Sequence, residues 1–342
     1  MQQSQSPKAL PARLVFLFPQ LELNDGGHIA QRRFQALAAA ATESVIATYA
    51  LREQGAAFLD DLLEQPAQQD SATYCIHYGP HIKRLVKKLK GRRVVYFAHS
   101  TGWAFDLPAG IPIVSVSRHS QAYWGRKAPS NPGFCLPNII GSEFALHDCS
   151  VSAHQRPVDV LVVKRKMSPY LLNSLVPTLK QYCSVKVVDG WVDDLAREYK
   201  SAKVFLYDSA DYWKRRGVSE GFGLPPLEAR ASGCTVFSSL NDALSDYLQP
   251  GVNCAQFTGD VAYDCERILA ELKDWCVDSQ LEDCAAAYRQ PAVAATMASV
   301  FAQIEQYFNY AFKPKSTEIT LRDRLAGMIE RTLTRVAALK AL

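Results

Sequence analysis

Short runs of consecutive apolar residues alternate along most of the chain with stretches whose apolar positions recur every three or four residues. In the first half the strand-like runs are Leu14–Phe18, Val45–Tyr49, Thr73–His77, Arg93–Ala98 and Ile113–Ser117. Helical spacing fills most of the gaps, over Gly27–Ala41, Phe58–Glu64 and His81–Lys90. The strands are apolar throughout rather than at every second position, so both of their faces are expected to be covered. That is the habit of a parallel sheet wound with helices.

The rhythm breaks at His147–Pro157, a polar stretch ending in proline, and then restarts. Strands are expected over Val158–Val163, Val185–Val188, Val204–Tyr207 and Thr235–Ser238. Helices are expected over Tyr170–Tyr182 and Val192–Lys200, from about Pro226, and briefly from Asn241. The segment Asp260–Phe312 reads as mostly helical with Pro291 as a break. The pattern predicts an α/β protein of two Rossmann-like parallel-sheet domains, 1–150 and 151–312, facing a cleft. A third segment, 313–342, reads as a basic amphipathic helix: Leu321, Leu325, Met328, Ile329, Leu333, Val336 and Leu339 share helical spacing and are flanked by Arg322, Arg324, Arg331, Arg335 and Lys340. Open parallel sheets bind ligands beyond the carboxyl ends of their strands, so the loops there are where chemistry is expected.

Composition narrows the partners. The 342 residues are 48% apolar, enough for two real cores. Lys and Arg total 38 against 34 Asp and Glu, a net charge of +4. That balance fits a phosphate-bearing ligand or an anionic membrane surface and is far short of a nucleic-acid footprint. Nine cysteines (Cys75, Cys135, Cys149, Cys183, Cys234, Cys254, Cys265, Cys276 and Cys284) are odd in number and form no C-x-x-C pair, which predicts reduced thiols and a cytoplasmic setting. The first ten residues lack the apolar core of a signal peptide, and no run of 18 apolar residues occurs.

The stretch richest in chemistry is Val218–Ser239, VSEGFGLPPLEARASGCTVFSS. Glu220 and Glu228 stand seven residues apart. Gly221 and Gly223 allow close approach of the backbone to a ligand. Pro225 and Pro226 suit a helix start, which would put Glu228 in the first helical turn. Amides around Gly221, Phe222, Gly223 and Leu224, together with the positive helix end, would suit a diphosphate. A carboxylate can accept two hydrogen bonds at once, as the vicinal hydroxyls of a sugar require.

This stretch resembles, nearly residue for residue over some 20 positions, the EGFGLPxLEAMAxGxPVV motif of family 4 retaining glycosyltransferases, enzymes of the GT-B fold. It departs at Thr235, where the family often has proline, and at Arg230, where methionine is common. Ser201–Ser209, Asp189–Leu195 and Asn241–Phe257 resemble neighbouring elements of that family. By this resemblance Glu228 would hold the donor ribose, Glu220 would contact the donor sugar, and the Gly221–Leu224 amides would touch sugar and phosphate. His99 matches a histidine at a strand end that touches the donor sugar, with His77 as a rival. Gly26 and Gly27, in the loop after the first strand, would lie near acceptor and phosphates, with Asn24 and Asp25 as further acceptor contacts. Ser117-Arg118 and Pro137-Asn138 match architectural segments. Arg165 matches the family's diphosphate-gripping arginine. The companion lysine falls near Tyr170, a mismatch, and Lys166 is the candidate to replace it.

The resemblance implies a hexosyltransferase-like, retaining enzyme that takes a UDP- or GDP-type donor. Its acceptor would be a glycan or lipid-linked molecule, as in lipopolysaccharide or other cell-envelope polysaccharide synthesis. No cofactor or metal is expected, since no Asp-x-Asp and no metal-spaced His/Cys cluster occurs. The basic terminal helix suits either peripheral contact with the inner face of an anionic membrane or packing on protein. Two other functions fit the same architecture: a sugar-nucleotide epimerase, and a non-catalytic nucleotide-sugar or glycan-binding protein.

Overall fold

The computed structural model describes residues 10–22, 26–77, 79–146, 153–277 and 285–312. Residues 10–302 belong to one compact unit; the second unit, 303–342, is described only to Phe312, as the end of a helix. Most of the expected interdomain linker, and the whole basic helix over 313–342, lie outside the described residues, as do Asn24 and Asp25.

The first sheet has seven strands: β1 (Arg13–Phe18), β2 (Glu43–Thr48), β3 (Ala57–Phe58), β4 (Thr73–Ile76), β5 (Arg93–Ala98), β6 (Ile113–Ser115) and β7 (Gly133–Cys135). Their spatial order is β3-β2-β1-β4-β5-β6-β7, all parallel. Phe16 of β1 sits level with Ile46 on one side and Cys75 on the other. The helices between them are α1 (Gly26–Ala39), α2 (Leu59–Leu62), α3 (Ile82–Lys88) and α4 (Arg118–Lys127). On α1, Ala30, Phe34, Leu37 and Ala38 point inward, one apolar stripe at helical spacing. Val15, Leu17, Tyr74, Ile76, Tyr96, Leu85, Leu89 and Trp124 build one core cluster of this half.

The second sheet has five parallel strands in the order β12-β11-β10-β8-β9: β8 (Val158–Val163), β9 (Val185–Val188), β10 (Ala202–Tyr207), β11 (Thr235–Ser238) and β12 (Ala255–Gln256). Its helices are α5 (Val176–Leu179, entered through a wider turn over Leu171–Leu175), α6 (Leu195–Lys200), α7 (Ala210–Arg216), α8 (Leu224–Ala231) and α9 (Val261–Lys273). A last helix, α10 (Gln290–Ala311), brings the Phe301 ring to 6.4 Å from Phe97 of β5. Pro291 is the second residue of α10, where it starts the helix rather than breaks it. Val160, Leu161, Val162, Phe205, Leu206 and Val236 are fully buried. Arg156 is 1% exposed; its guanidinium donates to the carbonyls of Ala202 and Ser232 and stacks 5.1 Å over Trp275, which pins the start of this half.

Several boundaries differ from the sequence reading. Phe58–Glu64 splits into the edge strand β3 and the single turn α2. Gly26 and Gly27 open α1 rather than lie in the loop before it. Helix α8 starts at Leu224, so Glu228 lies past the first turn instead of within it. No helix among the described residues is long and apolar enough to cross a membrane.

Candidate functional site

Each sheet has a point where successive connections leave in opposite directions. In the first it falls between β1 and β4, in the second between β8 and β10. Crevices form outside the strand ends at such points. The loops after β8 and β10 are tied together there: Ser168 N donates to Asp208 O at 2.8 Å, and the Ser168 hydroxyl donates to the Asp208 carboxylate.

The glycine-rich turn follows α7, which Gly217 ends in the left-handed region. Gly223 caps α8 at φ +79°; a Cβ there would meet Leu244 Cδ2 at 2.3 Å. Tyr247 donates its hydroxyl to Gly223 O. A Cβ on Gly221 would come within 1.7 Å of His99 O, so this residue is held against the backbone of the other half with no room for a side chain. Phe222 is buried, with its ring 5.6 Å from Tyr247 and 5.5 Å from Tyr288; Leu224 is half-buried as the first residue of α8.

The two glutamates are equally hidden, each 5% exposed, but differ in company. Glu220 Oε2 accepts from Tyr207 Oη at 2.7 Å, Trp213 Nε1 at 2.7 Å and Ser209 Oγ at 3.4 Å. Its Oε1 lies 3.6 Å from Lys166 Nζ. The Glu220 backbone is held as well: its amide donates to Asp242 Oδ2 at 2.9 Å, from a residue itself at φ +55°. The Glu228 side chain has one polar partner among the described residues, Arg33 Nη1 of α1, 3.4 Å from its Oε1. Burial pushes the Glu228 carboxyl up to about 7, against the pull of Arg33.

Lys166 reaches Glu220 from a left-handed backbone, φ +72°, with its ammonium 4.4 Å over the Trp213 ring. A non-glycine residue in that conformation costs about 1 kcal/mol, so the surroundings hold it there. Tyr170, where the resemblance expects a lysine, turns elsewhere: its hydroxyl donates to Asp264 at 2.6 Å, a fully buried carboxylate that also accepts from Thr258 and Gly259 amides. The cation that lies beside Glu220 is Lys166. Arg165 is exposed at the end of β8.

Across from the turn, His77 directly follows β4 and His99 directly follows β5. Their rings meet edge-on at 5.8 Å, His28 of α1 meets His77 at 4.7 Å, and His99 Nε2 lies 2.8 Å from Gln31 Oε1. Gly26 and Gly27 start the same helix, and a Cβ on Gly26 would meet nothing within 4 Å. The halves are stitched together around the turn. Thr101 pairs with Ser219, His119 Nε2 lies 2.9 Å from Ser219 Oγ, Ser120 Oγ donates to Gly221 O at 3.3 Å, and Arg118 N donates to Asp246 at 2.6 Å. Ser117 caps α4 by accepting from Ser120 N, an architectural role.

No family model matches the chain, and no curated protein matches it by sequence. Solved structures do. Sucrose-phosphate synthase from Thermosynechococcus elongatus is similar at 15% identity over 86% of this chain and 99% of that one, with a TM-score of 0.62. AviGT4, a glycosyltransferase involved in avilamycin A biosynthesis, is similar at 13% identity, with 89% and 99% covered and a TM-score of 0.55. Anabaena Alr3699/HepE in complex with UDP-glucose is similar at 14% identity, with 87% and 99% covered and a TM-score of 0.52. The chain has the GT-B fold.

Within this GT-B frame the structure adds residues that the sequence reading did not single out. Arg33 meets Glu228. Tyr207, Ser209 and Trp213 hold Glu220, and Asp242 holds its amide. Ser209 and Trp213 stand four apart at the start of α7, a spacing that puts both on one helix face; that was the available signal. Arg33 left no local signal, because its partner lies 195 residues away.

Proposed function

We propose that this chain is a retaining glycosyltransferase that moves a sugar from a UDP- or GDP-type donor to a glycan or lipid-linked acceptor, without a metal, in cell-envelope polysaccharide synthesis. One observation carries the reading. The two glutamates that flank a single glycine turn are both buried, Glu220 against the end of β10 beside the loops of the switch point, and Glu228 one turn into α8 facing the first half. The UDP-glucose complex of HepE and the glycosyltransferase AviGT4, similar in fold, support a nucleotide-sugar donor. Retention and metal independence follow the resemblance of the turn.

In the reaction the bond between sugar C1 and the diphosphate oxygen breaks, and its electron pair goes to the diphosphate. Lys166 and the amides of Gly221, Phe222, Gly223 and Leu224, which lead into the positive end of α8, meet that charge. The acceptor hydroxyl oxygen bonds to C1 from the same face, and its proton passes to the leaving phosphate oxygen. Glu220 offers Oε1 to sugar hydroxyls while Oε2 stays engaged. Glu228 accepts from the ribose diol. His99, whose carbonyl abuts Gly221, would face the sugar, and Gly26, with open space around it at the start of α1 beside Gly27, would leave room for the acceptor. Arg165, exposed, would join the diphosphate only with donor present. The basic segment Leu321–Leu342 would bring the enzyme to an anionic cytoplasmic membrane face.

Calorimetric titration with UDP and GDP tests the site. Glu228→Ala should weaken binding about 10–100-fold, the loss of a charge-assisted pair of hydrogen bonds worth about 1.5–3 kcal/mol. Unchanged affinity for both nucleotides would defeat the assignment. A second reading, a binder that no longer turns over, draws on the three donors crowding Glu220 Oε2 and on the exposed Arg165. Tight nucleotide binding with no donor hydrolysis and no transfer would favour it.

A further inference from the structure

What meets Glu228 from the opposite half is a guanidinium held on several sides. Arg33 Nη1 donates to Ile139 O at 2.9 Å as well as to Glu228 at 3.4 Å, and Nη2 donates to Glu143 Oε1 at 3.3 Å. Arg33 lies two turns along the helix that Gly26 opens, and its side chain is about one quarter exposed. The carbonyl of Ile139 and the carboxylate of Glu143 thus aim the fork at Glu228 Oε1. Oε2 has no protein partner among the described residues and is left to a ligand.

Two ribose hydroxyls that donate together are best met by the ionised acid, because the protonated one gives up part of its acceptor capacity to its own O–H. Burial opposes that charge. The ionisable groups around Glu228 are Arg33 of α1, which favours its charge, Glu143, which opposes it, and the buried phenols Tyr199 of α6 and Tyr247, which burial keeps protonated. Arg33 is the one cation within ion-pair distance of Glu228 among the described residues.

We propose that Arg33 is a positioning residue for the donor: from the opposite half it keeps Glu228 charged and aimed, so that capture of the ribose requires both halves of the molecule. This rests on the role of Glu228 given above. Arg33 touches no reacting atom. It makes the acceptor half part of the donor site.

The test is calorimetric titration of the full chain with UDP and GDP from pH 6 to pH 9. It compares wild type, Arg33→Met, Arg33→Lys and Glu228→Gln, with a thermal melt of each. Wild-type affinity should rise through about pH 7. In Arg33→Met the rise should move up by about one pH unit or more, leaving affinity about fivefold or more weaker at pH 7 yet within about twofold of wild type at pH 9. Arg33→Lys should keep a profile close to wild type. Glu228→Gln cannot titrate and reports what the diphosphate's own ionisation adds. An unshifted profile in Arg33→Met, or weakening that persists equally at pH 9, overturns the role of Arg33 while leaving that of Glu228 standing. Failure of wild type to bind either nucleotide at any pH overturns the role of Glu228 and this one with it. Should Arg33→Met not melt cooperatively, Arg33→Gln decides, since it keeps a polar side chain but no charge: a profile moved up as expected of Arg33→Met, with cooperative melting, supports the proposal, and an unshifted one assigns Arg33 to packing.

Discussion

Glu220 stands at the start of the glycine turn and Glu228 within the helix that follows it, with the same burial, in opposite circumstances. Glu220 is surrounded by donors of its own half, from β10, the loop after it and α7. It is finished before the halves meet. The Glu228 side chain has, among the described residues, its one partner on the other half and, by itself, is a carboxyl that burial drives toward neutrality. The first is built for position, the second for dependence. One short motif therefore carries a fixed acid and a conditional one, and its spacing alone does not reveal which is which.

Removing each acid should separate them. Glu220→Ala would leave Tyr207 Oη, Trp213 Nε1 and Ser209 Oγ without their acceptor, in positions mostly closed to water. Unsatisfied buried donors cost about 1–3 kcal/mol each, so urea unfolding should show a loss of about 4 kcal/mol. Glu228→Ala should cost far less, because it removes a buried charge. Equal losses would break the comparison.

The next effect is a pH slope. A carboxyl whose folded value lies above its ordinary 4.5, at about 7, binds its proton more tightly when folded. Its contribution to stability is complete below about 4.5 and lost as pH rises through 7, a decline of about 3 kcal/mol across that window. Denaturation of wild type and Glu228→Gln at pH 5 and pH 8 should show the difference in wild type only. A slope that survives in Glu228→Gln would assign it to other groups.

The smallest expected effect on stability belongs to Lys166→Met, about 1 kcal/mol or less, since the lysine is part exposed and contacts one carboxylate oxygen and one ring. Turnover should fall about tenfold, measured as transfer from whichever nucleotide sugar binds. Full turnover would show that Glu220 needs no cation beside it.

Much of this could be read from the chain. The strands of both sheet centres were legible because Leu14–Phe18, Arg93–Ala98 and Val158–Val163 are apolar runs with little polar interruption. The turn was legible because few contexts need EGFGLPP. Short edge strands such as Gly133–Cys135 and Ala255–Gln256 were not, since two or three residues carry no periodicity. Helices α4 and α7 were missed because their faces are largely polar: α7 buries no residue fully, and α4 buries only Ser120 and Trp124. The reach of Lys166 was hidden in a backbone angle, and Arg33 in a pairing between distant segments. Local pattern sets elements and turns; long-range pairing sets which charged groups face each other.

The contact of Gly221 with the His99 carbonyl bears on how such a molecule can be rebuilt. A joint with no spare volume accepts only the surface it was fitted to. Gly102, at φ +82°, abuts Gly217 and Val218 in the same tight way. A chimera that grafts the second half onto the first half of another protein of this architecture should fail unless the stretch from His99 to Gly102 travels with the stretch from Gly217 to Gly221. The unit of exchange is the pair of loops, not the domain.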